Sequence, residues 1–188
     1  MTTTNRSTET SRLISLLLER SVSRGDFVLA SGRKSSYYVD ARRTTMSGEG
    51  QLLIGRLGLA ALDQQGWAPQ TVGGLTLGAD PVAYAIAHAA RAAGRTIDAF
   101  TVRKEAKGHG LGRRIEGCLA AGDAVVVVED VITTGHSALD AVAQVREVGG
   151  QVLGVLAVVD REEGGREAIA AAAGVAATAL VLASELRV

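Results

Sequence analysis

The sequence predicts an α/β fold, with a mostly parallel sheet covered by helices on both faces. Two observations carry this. Short apolar runs rich in valine alternate with longer stretches of helical periodicity through most of the chain. The 188 residues are 47% apolar, enough to bury one substantial core and too apolar for a disordered chain. Strands that alternate with helices imply right-handed crossovers and therefore a parallel, doubly covered sheet.

In chain order, residues 8–24 have the spacing of an amphipathic helix, with Gly25 expected as its stop. "FVLASGRKSSYYVDAR" (27–42) reads as two short strands around a Ser-Gly turn. Leu52, Leu53, Leu57, Leu59 and Leu62 mark a helix over 48–65, despite its glycines. "TVGGL" (71–75) is a strand, and a helix follows from near Ala79 to about Gly94. "IDAFTVR" (97–103) leads into the glycine- and charge-rich "KEAKGHGLGRR". "AVVVV" (124–128) predicts a buried strand that the next two residues, both acids, should end; a helix from about Ser137 to Val148 follows. "VLGVLAVV" (152–159), a helix over roughly 163–173 and "VAATALVLA" complete the pattern. No repeat, low-complexity tract or linker interrupts it, so one domain over 1–188 is expected.

The bulk numbers narrow the function. Twenty basic and twenty acidic residues leave no net charge, which argues against a polycation for nucleic acid. Cys118 is the single cysteine, so no internal disulfide and no cysteine-based metal site can form. The polar N-terminus "MTTTNRSTETSR" has no apolar core of a secretory signal. The 17 uncharged residues from Ala168 to Ser184 are alanine-rich and broken by Gly174, and read as helix then strand rather than a membrane span. A soluble, cytoplasmic protein without membrane attachment is expected.

In an open parallel sheet, ligands bind outside the carboxyl ends of the strands. Three such ends carry unusual chemistry: Gly73–Asp80, Arg103–Arg114 and Glu129–Ser137. At the third, Glu129 and Asp130 precede Val131, Ile132, Thr133, Thr134, Gly135, His136 and Ser137. Backbone amides, hydroxyls and a helix N-terminus are the materials that hold a phosphate. Ionised carboxylates accept hydrogen bonds and repel phosphate, so they should face neutral hydroxyls instead. A ribose bearing a 5′-phosphate satisfies both halves.

"VVVVEDVITTGHS" resembles the phosphoribosyl pyrophosphate (PRPP) signature of type I phosphoribosyltransferases. The resemblance implies that fold, with a small N-terminal hood mainly over 1–45 and a core over about 46–188. It implies that Glu129 and Asp130 meet the ribose hydroxyls and that Thr133–Ser137 holds the 5′-phosphate, with Val131 and Ile132 inside the same PRPP-binding run. "RKEAKGHG" is similar to the catalytic loop of the orotate phosphoribosyltransferases, a loop that in that family reaches into the neighbouring subunit's active site. Arg103, Lys104, Lys107 and His109 match it position for position. The "FVLASGRKSSYYVDAR" segment resembles the hood of the same enzymes, and Arg161 in "VVDREEG" stands where they pair an arginine with the base's carboxylate, with Thr133 as its partner. Two departures are visible: some of these enzymes have lysines where this chain has Ala30 and Gly78.

The resemblance implies transfer of the phosphoribosyl group from PRPP to orotate, giving orotidine 5′-monophosphate and pyrophosphate in pyrimidine biosynthesis. Lys107, His109 and Asp130 would be the catalytic set, with Lys107 stabilising the departing pyrophosphate and Arg103 and Lys104 assisting. His109 would bind pyrophosphate or donate a proton. Mg²⁺ is expected on PRPP oxygens and water, without an all-protein cage. A catalytic loop acting in trans requires at least a homodimer. Three alternatives share parts of the pattern: a uracil or purine phosphoribosyltransferase, a PRPP-sensing nucleic-acid regulator, and an unrelated nucleotide-binding α/β domain.

Overall fold

A computed structural model of the chain describes residues 3–28, 34–105 and 114–186. Helix α1 (Thr3–Arg20) leads into a hairpin of β1 (Val22–Val28) and β2 (Lys34–Val39), then the short α2 (Arg42–Thr45) and the long α3 (Gly48–Gln65). There follow β3 (Thr71–Leu75), α4 (Ala79–Ala92), β4 (Asp98–Val102), β5 (Ile115–Gly117) and β6 (Ala124–Ile132). The chain continues through α5 (His136–Glu147), β7 (Gln151–Asp160), α6 (Gly165–Ala173), β8 (Ala176–Leu182) and a 3₁₀ turn at Ala183–Leu186. Among the described residues, six strands form one sheet in the order β5-β4-β3-β6-β7-β8. All its pairings are parallel except β4 with β5 at the edge. This is the α/β class the alternation predicts, with β5 added: a three-residue edge strand without an apolar run to announce it.

The valine run explains the layering. Successive side chains of a strand point to opposite faces. Val126 and Val128 join Ile54, Leu62 and Ile86 beneath α1, α3 and α4. Val125 and Val127 join Val142, Val145 and Ile169 beneath α5 and α6. Leu13, Leu16 and Leu17 bring α1 into the first of these clusters.

Two of the shifts from the expected boundaries have a clear cause. The first helix ends at Arg20, short of Gly25. Ser21 diverts the chain: its hydroxyl bonds the Thr44 hydroxyl in a buried contact at 2.7 Å, and its carbonyl accepts the Asp40 N–H. Val22 then pairs with Val39, and Gly25 falls at the register irregularity between Arg24 and Phe27. The valine strand, in turn, runs past both acids to Ile132, because β7 pairs with it as far as Ile132 and Asp160. Glu129 and Asp130 therefore lie within a strand instead of ending one.

The last register pair between β3 and β6 is Gly73 with Val127. Beyond it the two strands diverge, at the place where the chain order reverses from leftward (β3, β4, β5) to rightward (β6, β7, β8). Such a switch point opens a crevice at the strands' carboxyl ends.

Candidate active site

A cavity of about 1180 Å³ occupies that crevice. Its floor comes from the ends of β3, β4, β6 and β7, and the segment Tyr38–Arg42 after the hood hairpin covers one side. Arg103, Lys104, Glu129, Asp130, Val131, Thr133, Thr134, His136, Ser137 and Arg161, all expected from the sequence, line it together. Ile132 and Gly135 line a smaller cavity of about 40 Å³ enclosed by the Thr133–Ser137 turn, a size suited to one phosphate-like group. The Ile132 side chain itself is buried in the core, so only its backbone is available to a ligand. Lys107, His109 and Ala30 lie outside the described residues.

The turn is shaped from behind. Gly135 precedes α5 with φ of +82°, a left-handed conformation that a side chain resists. Gly165 of α6 packs directly against it, where a β-carbon would lie 2.4 Å from the Thr133 carbonyl oxygen and 3.0 Å from the Gly135 nitrogen. The helix that begins at His136 directs its unpaired amides and positive end toward the cavity.

The acids are not a solvated pair. Glu129 is buried, and its Oε1 has no hydrogen-bond partner among the described residues. Burial, with a smaller push from Asp130, raises its carboxyl to about 8. Burial thus favours the protonated form of Glu129 in the unliganded chain, where the sequence suggested two acceptor-only carboxylates. Burial raises Asp130 as well, while the N–H of Val131 and the charge of Arg42 oppose the rise. A ribose hydroxyl could both donate to and accept from such a pair.

Arg161 sits at the end of β7, across β6 from Gly78. Its N–H donates to the Ile132 carbonyl at 2.9 Å. Its side chain is buried, pairs with Glu163 at 2.9 Å and lies 4.6 Å from the centroid of the Tyr37 ring. The Nε atom is buried without a hydrogen-bond partner among the described residues. The expectation of a strand-end arginine is met, and the guanidinium is both paired with Glu163 and covered by Tyr37 of β2.

The basic segment is anchored at both ends. The Arg103 N–H donates to the Arg114 carbonyl at 2.7 Å, and Arg114 Nε returns a bond to the Arg103 carbonyl at 2.8 Å. The rest of the Arg114 guanidinium forms a two-pronged pair with Asp140 of α5, at 2.9 and 2.6 Å. Asp80 performs a similar service for β3 and β4, accepting from the hydroxyls of Thr76 and Thr101 at 2.6 Å each.

Sequence reasoning did not single out Asp40, Arg42, Thr76, Thr101 or Glu163 as cavity residues. Asp40 and Arg42 close the stretch 27–42 read as a two-stranded hairpin, but nothing local says that the hairpin folds over the crevice.

Comparison with known proteins places the whole chain. An orotate phosphoribosyltransferase of Mycobacterium avium (strain 104) is 55% identical over 163 residues, which cover 87% of this chain and 88% of the relative. The chain belongs to the orotate phosphoribosyltransferase family. A second family member, from Aquifex aeolicus (strain VF5), is 51% identical over 86% of this chain. Among solved structures, the Mycobacterium tuberculosis H37Rv orotate phosphoribosyltransferase in complex with PRPP superposes with a TM-score of 0.82 at 46% identity, covering 96% of this chain and 99% of that one. No protein-family model matches the chain. The family resemblance seen in the PRPP signature thus extends over most of the sequence and the whole sheet.

Proposed function

We propose that this chain transfers the phosphoribosyl group from PRPP to orotate, yielding orotidine 5′-monophosphate and pyrophosphate in de novo pyrimidine biosynthesis. The observation that carries the proposal is one cavity holding the buried Glu129 beside a partly buried Asp130, a phosphate-sized turn and a buried arginine at the end of β7. Glu129 and Asp130 take the ribose hydroxyls, and Thr133–Ser137 takes the 5′-phosphate. Thr133 and Arg161 take orotate, whose planar carboxylate suits a guanidinium fork.

The reaction breaks the C1′–O bond as the orotate nitrogen attacks from the opposite face. The attacking nitrogen gives up its proton to water or to the departing diphosphate as the C1′–N bond forms, and the protein's main tasks are to hold nucleophile and C1′ in line and to stabilise the departing diphosphate. The sheet separates these tasks in space: Arg161 lies on the β7 side of β6, and the turn after β3 lies on the other. Lys107 and His109, with Arg103 and Lys104, serve the leaving group in this reading. A cationic segment over the diphosphate also excludes water.

Mg²⁺ is the expected cofactor and supplies neutralisation of diphosphate charge. Among the described residues no cluster of three or more His, Cys, Asp or Glu is arranged to hold a metal. The oxygens around the cavity belong to Asp40, Glu129, Asp130, Glu105, Glu116 and Glu163, and suit hydrogen bonds to waters of an ion carried in on PRPP.

The chain is proposed to act as one domain, hood mainly 1–45 and core 46–188, in a cytoplasmic homodimer whose catalytic loop acts in trans, with neither nucleic acid nor membrane as partner. Support for a second copy comes from three exposed large apolar residues, Met46 after α2, Leu52 on α3 and Tyr84 on α4, on helices that pack together. No helix of the described residues is long and apolar enough to cross a membrane.

The test is a spectrophotometric assay of orotate consumption with PRPP and Mg²⁺, beside uracil, hypoxanthine and adenine. Loss of orotate absorbance that requires both PRPP and Mg²⁺ is the expected result. Reaction with another base alone would retain the PRPP site and remove the role given to Arg161.

A further inference from the structure

PRPP carries negative charge at both ends of its ribose. The 5′-phosphate end has the amide-rich turn Thr133–Ser137. The diphosphate is attached to C1′, next to the hydroxyls that meet Glu129 and Asp130, and on the far side of the ring from C5′. It therefore extends beyond the acid pair, away from that turn.

Two features of this chain meet there. Gly78, after β3, is so near the second acid that a β-carbon on it would lie 2.5 Å from Asp130 Oδ1. The short helix α2 is held beside the first turn of α4, because the Gln51 side chain donates to the carbonyls of both Thr45 and Pro81. Arg42 opens that helix and lines the cavity, and its charge acts on the Asp130 carboxyl.

Among the described cations of the cavity, Arg42 is the one whose charge acts on Asp130. Arg161 is buried against Glu163 on the β7 side, Arg103 stands 3.6 Å from Glu116, and Lys104 follows it on the β4 side. The Arg42 side chain is 46% exposed. Its Nε donates to Asp40 Oδ1 at 2.8 Å, and its terminal amino groups have no hydrogen-bond partner among the described residues. A guanidinium tethered through Nε presents its outer edge as a preset fork, the geometry that binds a phosphate with two parallel bonds.

We propose that Arg42, held in place by Asp40, binds the diphosphate of PRPP. This rests on the PRPP reading of the cavity. It assigns to the hood a direct role in leaving-group binding, in addition to covering the base.

Calorimetric titration tests it, with PRPP, pyrophosphate and orotidine 5′-monophosphate as separate ligands in the presence of Mg²⁺. The proteins are the unmodified chain, Arg42→Gln and Arg42→Lys. Losing a charge-assisted bidentate contact should weaken PRPP and pyrophosphate about tenfold or more in Arg42→Gln. Orotidine 5′-monophosphate, which has no diphosphate, should change less than about twofold and reports that the variant is folded. Arg42→Lys should fall between the two. Unchanged affinity for PRPP and pyrophosphate in both variants overturns the proposal, as does an equal loss for all three ligands. Failure of the unmodified chain to bind PRPP at all would instead remove the reading beneath it.

Discussion

Gly165 meets the Thr133 carbonyl so closely that a β-carbon on the glycine would lie 2.4 Å from that oxygen. The Thr133–Ser137 turn is thus moulded by a residue of the next crossover, beyond an intervening helix and strand. Gly165→Ala should push the turn toward the cavity, costing about 1–3 kcal/mol of stability as overpacking. It should also raise the KM for PRPP about tenfold while leaving the orotate KM nearly unchanged. Steady-state kinetics on both substrates, with urea unfolding alongside, measure this. Equal PRPP affinity in the variant would show that the turn does not depend on its backing.

Glu129 gives a pH dependence with a definite sign. Its carboxyl stands at about 8 in the folded chain, against 4.5 for an unperturbed glutamate. Between these values the unfolded chain has released the proton and the folded chain still holds it, so folding stability falls as pH rises through that window. The loss approaches about 1.4 kcal/mol per pH unit from this group alone. Glu129→Gln cannot ionise, so the unliganded variant should gain stability relative to the unmodified chain as pH increases from about 5 to 8. Urea unfolding across that range checks it. A stability difference that does not vary with pH would place Glu129 in contact with water or a cation instead.

The setting of Arg161 separates charge from shape. Arg161→Lys keeps the charge but loses the planar fork and its stacking on Tyr37. It should raise the orotate KM about tenfold or more, and PRPP affinity should be little affected. Tyr37→Leu removes the ring and should cost about 0.5–2 kcal/mol of orotate binding. A lysine variant with unaltered orotate kinetics would show that Arg161 serves the loop through Glu163 and not the base.

Arg114 and Asp140 join the base of the basic segment to the helix that begins within the Thr133–Ser137 turn. The pair is partly exposed, so its coupling energy should be modest, about 1 kcal/mol in a double-mutant cycle of Arg114→Ala and Asp140→Ala. Its effect on turnover should be larger and non-additive, because either single change frees the segment from α5. Turnover losses that simply add in the double variant would argue against a mechanical link.

Local chemistry was legible in the sequence because it depends on neighbours along the chain. The unbroken valine run and helical spacing in 48–65 located β6 and α3. The acid pair with its threonine-glycine turn marked the site, and the basic segment and Arg161 suggested which base it takes. Less legible were elements whose formation depends on a partner. β5 has a half-buried isoleucine and two exposed residues, so pairing with β4, not apolar content, makes it a strand. The first helix stopped early because Ser21 found Thr44, more than twenty residues away in sequence.

The sequence by itself determined the α/β alternation, the parallel order of most strands and the identities of the groups gathered at their carboxyl ends. Only the tertiary structure decided that Glu129 is buried with its carboxyl raised, that Tyr37 lies on Arg161, that Gly165 backs the Thr133–Ser137 turn, and that Asp40 and Arg42 stand across from Asp130. The physical reason is one of range. Strand and helix periodicity arise from the backbone's own geometry, whereas desolvation, stacking and close packing exist only once distant segments share a surface.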